Sequence, residues 1–175
     1  MSEWILLRLH RHDERALHAL LMRRRPRLDR AMRWITHLGD AAVTIGLTLW
    51  MLLSPYPAVA AAGRRAAFAL AVSHLLVQVV KRTVTRARPC LPMGVSALVR
   101  APDRFSFPSG HAASSLSVAL ALAALPGGAW AAGMMALAVA IGLSRCYLGV
   151  HYPGDVAAGW TLAAAAAWAA GLAWP

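Results

Sequence analysis

Residues 112–143 read AASSLSVALALAALPGGAWAAGMMALAVAIGL and contain no Asp, Glu, Lys or Arg. This run is longer than one membrane-spanning helix requires. Pro126-Gly127-Gly128 lies in its middle, and proline and glycine are the strongest helix breakers. The stretch therefore predicts a hairpin of two membrane-spanning helices.

Similar uncharged runs lie on both sides of this hairpin. Residues 41–53 end at the breaker sequence Ser54-Pro55-Tyr56-Pro57, residues 66–80 are bounded by arginine and lysine, and residues 156–175 are long enough to cross once. With the hairpin they predict five crossings. We therefore expect an all-α integral-membrane helical bundle that forms a single domain over residues 1–175.

The N-terminal residues 1–37 have a different pattern. Apolar residues recur at helical spacing with arginines and histidines between them, namely at Ile5, Leu6, Leu9, Ala16, Leu17, Leu20 and Leu21. This pattern predicts an amphipathic helix that lies in the membrane interface. The alternative is an ordinary amphipathic helix that packs against the rest of the domain.

The charge of the chain is strongly positive, with 18 Lys and Arg against 7 Asp and Glu. Because these cations accompany long apolar runs, we expect an anionic lipid as the partner and no nucleic acid. Five crossings place residues 81–110, residues 144–155 and the N-terminus on one side, which gathers most cations there. The positive-inside rule makes that side cytoplasmic.

Three polar clusters fall on this same side. In the first, Lys81 to Pro89, four cations within eight residues indicate an anionic ligand, although membrane anchors that reach lipid headgroups would look alike. In the second, Ser109, Gly110 and His111 stand where a helix begins and where free N–H groups favour a phosphate. A helix cap beside an interfacial histidine is the alternative.

The third cluster runs from Ser144 to Asp155. Asp155 follows His151 by four residues, a spacing that places a carboxylate against one imidazole nitrogen and leaves the other free to attack. A buried His-Asp pair that only tightens packing is the alternative. Each alternative explains one cluster, but none explains why all three are polar, complementary and on one side. Two histidines, a carboxylate and fixed cations together indicate phosphoryl transfer.

These residues resemble the signature of the type 2 phosphatidic acid phosphatase superfamily, which also includes vanadium-dependent haloperoxidases and bacterial acid phosphatases. Its three parts match Lys81 with Arg88-Pro89, Pro108 to His111, and Ser144-Arg145 with His151 and Asp155. The matched region, residues 81–155, covers under half of the chain.

The resemblance implies a lipid phosphatase that needs no cofactor and no metal. His151 would be the nucleophile that forms a phosphohistidine, Asp155 would orient it, and His111 would act as the general acid. The phosphate would be held by the remaining signature residues, which are Lys81, Arg88, Ser109, Gly110 and Arg145.

The implied substrate depends on the side of the membrane. A periplasmic site, as in many bacterial relatives of the family, fits undecaprenyl diphosphate. A cytoplasmic site fits phosphatidylglycerophosphate, phosphatidate or a polyprenyl-linked sugar phosphate. Either way we expect a multi-pass protein of a bacterial-type inner membrane.

Two competing functions remain open from the sequence. One is a catalytically silent membrane protein that binds lipid phosphates, against which the presence of His111, His151 and Asp155 argues. The other is a vanadate-using oxidase, which no feature of this small membrane chain favours. A further hypothesis is that Cys90 and Cys146, each next to or near a signature arginine, form a disulfide on oxidation.

Overall fold

Seven helices form the regular secondary structure of the part of the chain that the structure describes. The computed structural model describes residues 3–101 and 103–174, with side chains from His10 onward. The helices are α1 (Glu3–Leu21), α2 (Pro26–His37), α3 (Ala41–Leu52), α4 (Pro57–Val84), α5 (Gly110–Ala123), α6 (Gly128–Tyr147) and α7 (Pro153–Ala173).

The all-α membrane bundle is confirmed, since every predicted crossing contains a helix. Helices α4, α6 and α7 are each long and apolar enough to span a bilayer. Helices α2 and α3 meet at 48° and provide a fourth span if they are counted as one bent segment. Helix α5 is apolar but has only 14 residues. The helix lengths thus support three or four full spans where the sequence predicts five.

Helix α4 is much longer than the predicted segment 66–80. It begins with Pro57 at its first turn, where proline is well tolerated, and it contains Arg64 and Arg65 rather than ending at them. Arg65 donates a hydrogen bond from Nε to the Trp174 carbonyl at 3.0 Å. Long arginine side chains can extend along a helix to the interface, so they do not mark its end.

The N-terminal segment forms two helices, because the chain turns before Pro26. Leu17 and Leu21 of α1 are buried in a core cluster with residues of α5, α6 and α7. Helix α1 thus packs on the bundle through its apolar face, as the packing alternative predicts. Its position in a membrane interface stays a prediction.

One end of the bundle collects the three polar clusters. Arg24 donates from Nε and Nη2 to the Tyr147 carbonyl at 2.9 and 2.7 Å, which holds the α1–α2 turn against the end of α6. The Ser109 amide donates to the Asp155 carbonyl at 2.9 Å, which joins the start of α5 to that of α7. A Cβ on Gly159 would lie 2.5 Å from the Ser109 carbonyl oxygen, so only glycine permits this approach.

Candidate active site

His151 lies in the short connection between α6 and α7 and is buried. The connection turns at Gly149, whose φ of +82° favours glycine. His151 Nδ1 lies 3.5 Å from Asp155 Oδ2, an ion-pair distance that is long for a hydrogen bond. The Tyr152 amide donates to the same oxygen at 2.8 Å. The predicted pairing of His151 with Asp155 is therefore present as a close approach, and His151 Nδ1 makes no hydrogen bond among the described residues.

Arg88 determines which imidazole nitrogen carries the proton. Its Nη1 lies 3.1 Å from His151 Nε2 and also donates to the Val150 carbonyl at 2.7 Å. A guanidinium can only donate, so Nε2 accepts, and the ring proton of a neutral His151 is on Nδ1, facing Asp155. The lone pair of Nε2 therefore faces Arg88, one of the predicted phosphate ligands.

Burial lowers the pKa of His151 from its ordinary value of 6.5 to about 4. The Asp155 carboxylate opposes this shift, while the positive charges of Arg88 and Arg145 add to it. His151 is consequently neutral near pH 7. A neutral imidazole has the free electron pair that attack on phosphorus needs.

Lys81 and Arg88 converge on one carboxylate, that of Asp103. Lys81 Nζ lies 2.5 Å from Asp103 Oδ2, and Arg88 Nη2 lies 2.6 Å from Oδ1. Although burial alone would raise the pKa of Asp103, hydrogen bonds and charge from the two cations hold it below its usual value. Asp103 is therefore ionised, and its carboxylate bridges two of the predicted phosphate ligands.

Arg145 is buried near the end of α6. Its Nη1 donates to Thr36 Oγ1 of α2 at 2.6 Å, and its carbonyl accepts from the His151 amide at 3.3 Å. Its Nε has no hydrogen-bond partner among the described residues. A buried N–H without a partner is costly, so this donor is available to an anion.

The start of α5 brings Ser109, Gly110 and His111 to the same end. Ser109 is buried, and its Oγ accepts from the Ala112 amide at 3.4 Å, so its side chain caps the helix. The first backbone hydrogen bond of α5 runs from Ala113 to the Ser109 carbonyl. The amides of Gly110 and His111 precede it and belong to the free N–H groups of a helix start.

His111 is paired with a second carboxylate. Its Nε2 lies 2.8 Å from Asp40 Oδ1, and the other oxygen of Asp40 lies 2.8 Å from His37 Nδ1. Asp40 stands in the break between α2 and α3, next to Gly39, where a Cβ would lie 3.3 Å from the His111 ring and 2.6 Å from Ile141. The missing side chain of Gly39 lets this break approach the histidine.

Arg86 connects Asp155 to the N-terminal helix. Its Nη1 lies 2.7 Å from Asp155 Oδ1 and its Nη2 lies 2.8 Å from Asp13 Oδ2, and its guanidinium stacks 4.1 Å over the Tyr152 ring. Asp13 Oδ1 also accepts from the Gly154 amide at 2.8 Å. The orientation of Asp155 therefore depends on α1.

The structure thus joins most of the predicted site residues into one network. Contacts through side chains link Lys81, Arg88, His151 and Asp155, and Ser109 and Arg145 are joined to them through their backbones. His111 lies two residues from Ser109 but is hydrogen-bonded to Asp40 rather than to this network. The two cysteines are free thiols, one exposed and the other buried.

Sequence reasoning missed the partners of the signature residues. They are Asp13, Thr36, Asp40 and Asp103, together with the contacts of Arg86. A signal was present, because the chain has only seven acidic residues. Because so few carboxylates accompany 18 Lys and Arg, each of them was a candidate partner for a cation or histidine.

Comparisons with known proteins show the family of this chain. The model of the PAP2 superfamily matches residues 62–174. Decaprenylphosphoryl-5-phosphoribose phosphatase of Mycobacterium tuberculosis is 34% identical over 148 residues, which cover 80% of this chain and 77% of that protein. Phosphatidylglycerophosphatase B of Bacillus subtilis is 31% identical over 166 residues, 86% of this chain and 77% of that protein.

Two solved structures have a fold similar to that of this chain. LpxE of Aquifex aeolicus superposes with a TM-score of 0.78 at 25% identity and covers 89% of this chain and 92% of that one. The transmembrane PAP2-type phosphatidylglycerolphosphate phosphatase of Bacillus subtilis has a TM-score of 0.78 at 27% identity, with coverage of 93% and 84%. The family model matches more than half of the length of this chain, so the chain belongs to the PAP2 superfamily.

Proposed function

We propose that this membrane phosphatase hydrolyses the phosphate of a membrane lipid through a phosphohistidine on His151. The observation that carries this proposal is the buried, neutral His151, whose Nε2 faces Arg88 while Asp155 lies behind Nδ1. A catalytically silent phosphate-binding protein would need the cations but not this oriented imidazole, so that alternative is not favoured.

The reaction proceeds in two displacements. In the first, the Nε2 lone pair of His151 forms a bond to phosphorus, and the bond from phosphorus to the lipid oxygen breaks. His111 gives a proton to that oxygen. In the second, His111 takes a proton from water, the water oxygen bonds to phosphorus, and the N–P bond breaks to release inorganic phosphate.

The cations and helix amides stabilise the charge on the transferring group. Lys81, Arg88 and the unpaired Nε of Arg145 donate to the phosphate oxygens, as do the free amides of Gly110 and His111 at the start of α5. Asp155 balances the positive charge that His151 gains on attack. Because fixed cations supply this stabilisation, the proposed mechanism needs no metal.

For the substrate, we infer a phosphate monoester or a diphosphate at the end of a lipid. Relatives named for decaprenylphosphoryl-5-phosphoribose, phosphatidylglycerophosphate and undecaprenyl diphosphate point to this class. The relative with the decaprenyl-linked sugar phosphate reaches 34% identity over 80% of the chain. We therefore place a polyprenyl-linked sugar phosphate first.

A phosphate-release panel tests these assignments. The purified chain in detergent is given a polyprenyl-linked sugar phosphate, undecaprenyl diphosphate, phosphatidylglycerophosphate and phosphatidate, each with and without EDTA. We expect release from at least one lipid, fastest from the first, and unchanged by EDTA. His151→Ala is the matched inactive control. No release from any lipid would refute the catalytic function, and loss with EDTA would refute the metal-free mechanism.

The site opens to the cytoplasm in this proposal. Arginines of α1, α2 and the α4–α5 connection lie at the site end of the bundle, and Arg64 and Arg65 lie towards the opposite end of α4. Cys90 is exposed and Cys146 is buried, so a membrane-impermeant maleimide reports on Cys90 alone. We expect labelling in inverted vesicles and not in intact spheroplasts, with Cys90→Ser as the control. Labelling in intact spheroplasts would place the site on the outside.

The whole of residues 1–175 acts as one catalytic domain in this proposal. Asp13 of α1 binds both Arg86 and the start of α7, so the N-terminal helix is part of the support of Asp155. Residues 1–37 therefore contribute to activity as well as to membrane attachment.

A further inference from the structure

The carboxylate of Asp103 is bound as an anionic ligand would be. Lys81 Nζ and Arg88 Nη2 contact its two oxygens at 2.5 and 2.6 Å, and the Phe105 amide donates to Oδ1 at 3.2 Å. The Arg88 Nε also donates to the Asp103 carbonyl at 3.3 Å. Charge-assisted contacts of this kind are the ones that recognise phosphate oxygens.

Asp103 also lies close to the nucleophile. One terminal nitrogen of Arg88 contacts Asp103 while the other contacts His151 Nε2 at 3.1 Å. Because the guanidinium is rigid and planar, Asp103 at its Nε and Nη2 and His151 at its Nη1 are held close together by one group. A phosphate that reacts with His151 would be bound by Lys81 and Arg88. It would need the same N–H donors, Lys81 Nζ and Arg88 Nη2, that Asp103 occupies.

The backbone around Asp103 holds it near the cations without burying it. The Ser106 amide donates to the Arg86 carbonyl at 2.9 Å, and Ala87 and Phe105 form an isolated antiparallel bridge. The Asp103 side chain itself is 39% exposed, whereas that of Lys81 is 7% exposed. The carboxylate can therefore leave for solvent while the buried cation stays in place.

We propose that Asp103 occupies the phosphate-binding site at Lys81 and Arg88 in the free protein. It acts as an intramolecular competitor that the substrate must displace. The proposal rests on the proposed function, because it takes Lys81 and Arg88 as the phosphate ligands. A terminal phosphate with up to two negative charges displaces the single charge of a carboxylate. A phosphodiester headgroup, which carries one charge shared by two free oxygens, does not.

Asp103 is thereby a specificity residue. Phosphodiester lipids are the solvent of a membrane enzyme and reach the site at far higher concentration than the substrate. Without Asp103, the cation cage, formed by Lys81 and Arg88, would bind them. An internal carboxylate raises the affinity that any ligand needs to enter the cage. Discrimination against the common headgroups then comes from a repulsive element in the site as well as from contacts to the substrate.

Direct binding of inorganic phosphate tests the proposal. Calorimetry on the full chain in detergent compares the wild type with Asp103→Asn, and Asp29→Asn is the matched control. Asp29 accepts a hydrogen bond from the Tyr147 hydroxyl and lies outside the cation cage. We expect Asp103→Asn to bind phosphate about tenfold more tightly, since a contact with charged groups no longer has to be broken. Asp29→Asn should leave the affinity unchanged.

A second measurement examines specificity in mixed micelles. Phosphatidylglycerol, a phosphodiester lipid, should inhibit phosphate release by Asp103→Asn at about tenfold lower concentration than it inhibits the wild type. If Asp103→Asn fails to fold, as judged by its thermal melt, Asp103→Ser removes the same carboxylate with a smaller side chain.

Arg88→Ala separates failure of this proposal from failure of the function. If Arg88→Ala abolishes phosphate binding and Asp103→Asn leaves it equal or weaker than the wild type, Asp103 only organises the cations, and the competitor role is overturned. If Arg88→Ala binds phosphate as the wild type does, the cage is not the phosphate site, and the proposed function falls together with this inference.

Discussion

Two histidine–carboxylate pairs at one end of the bundle differ in their access to water. In the pair of His151 and Asp155, the side chains are 2% and 0% exposed, and in the pair of His111 and Asp40 they are 17% and 41% exposed. The closed pair keeps its imidazole fixed and away from solvent, which suits attack on phosphorus. The open pair can exchange protons with solvent, which suits an acid and base. The two pairs thus differ in solvent access, and this difference fits the different roles that we propose for their histidines.

The largest expected effect is the loss of turnover in variants of the two histidines. Substrates with different leaving groups distinguish His151 from His111. His151→Ala should lower turnover by about 10⁴-fold or more with every substrate, because no N–P bond can form. His111→Ala should lower turnover of a lipid phosphate by about 10²–10⁴-fold, the usual contribution of a general acid. The measurement is phosphate release from the lipid and from p-nitrophenyl phosphate.

The second substrate provides the discriminating result. Nitrophenolate leaves without a proton. In the first turnover, His111→Ala should therefore form nitrophenol at nearly the wild-type rate, whereas His151→Ala should not. If His111→Ala lost the same fraction of its turnover rate with both substrates, its role as the acid would be contradicted.

Neutralising the carboxylate of each pair should lower kcat more for the closed pair, that of His151 and Asp155, than for the open pair. Asp155→Asn should lower kcat by about 10²–10⁴-fold, because the amide no longer balances the charge on His151 and leaves Arg86 with Asp13 as its remaining carboxylate partner. Asp40→Asn should lower kcat by only about tenfold, since water can replace the exposed contact. Steady-state kinetics of the two variants, each checked by its thermal melt, provides the comparison. A larger loss in Asp40→Asn would reverse the assignment of the two pairs.

Arg86 tests how the closed pair is positioned. Arg86→Met should lower kcat by about 10–100-fold with little change in KM, because Asp155 loses its orienting partner while the phosphate ligands remain. Arg86→Lys should recover part of the loss, since it restores the charge but not the fork that joins Asp155 to Asp13. A change in KM alone would instead place Arg86 among the substrate contacts.

The smallest effect concerns protonation rather than rate. The pKa of His151 is about 4, against 6.5 for an ordinary histidine. The folded chain therefore binds fewer protons than the unfolded chain as the pH falls from 6.5 towards 4, and stability decreases over this window. In an NMR titration of histidine-labelled protein, the signal that disappears in His151→Gln should titrate near pH 4. Titration near pH 6.5 would show that the pair is open to water.

The sequence was sufficient for the residues whose chemistry is local. Asp155 follows His151 by four positions, and Ser109 to His111 are adjacent, so spacing predicted the approach of Asp155 to His151 and the place of Ser109 at a helix start. Alternating apolar runs and breakers likewise predicted helices α3 to α7, since the lipid environment restricts the chain to such segments. These predictions required no knowledge of distant contacts.

The remaining features depend on contacts between distant parts of the chain. Asp40 meets His111 across 71 positions, and Asp13 meets Arg86 across 73. A single aspartate in an arginine-rich segment resembles an ordinary surface residue, so no local pattern marks it as a partner. The extent of α4 was missed for a related reason, because Arg64 and Arg65 lie within the helix and the sequence alone suggested that they end it.

The short length of α5 has a consequence for the side of the membrane opposite the site. Its 14 residues extend about 21 Å, against about 30 Å for the hydrocarbon layer. Its start is joined to the start of α7 by the hydrogen bond from the Ser109 amide to the Asp155 carbonyl, so the missing length of about 9 Å falls at its Ala123 end. The bilayer must therefore thin around the α5–α6 turn, or this turn must lie inside the hydrocarbon layer.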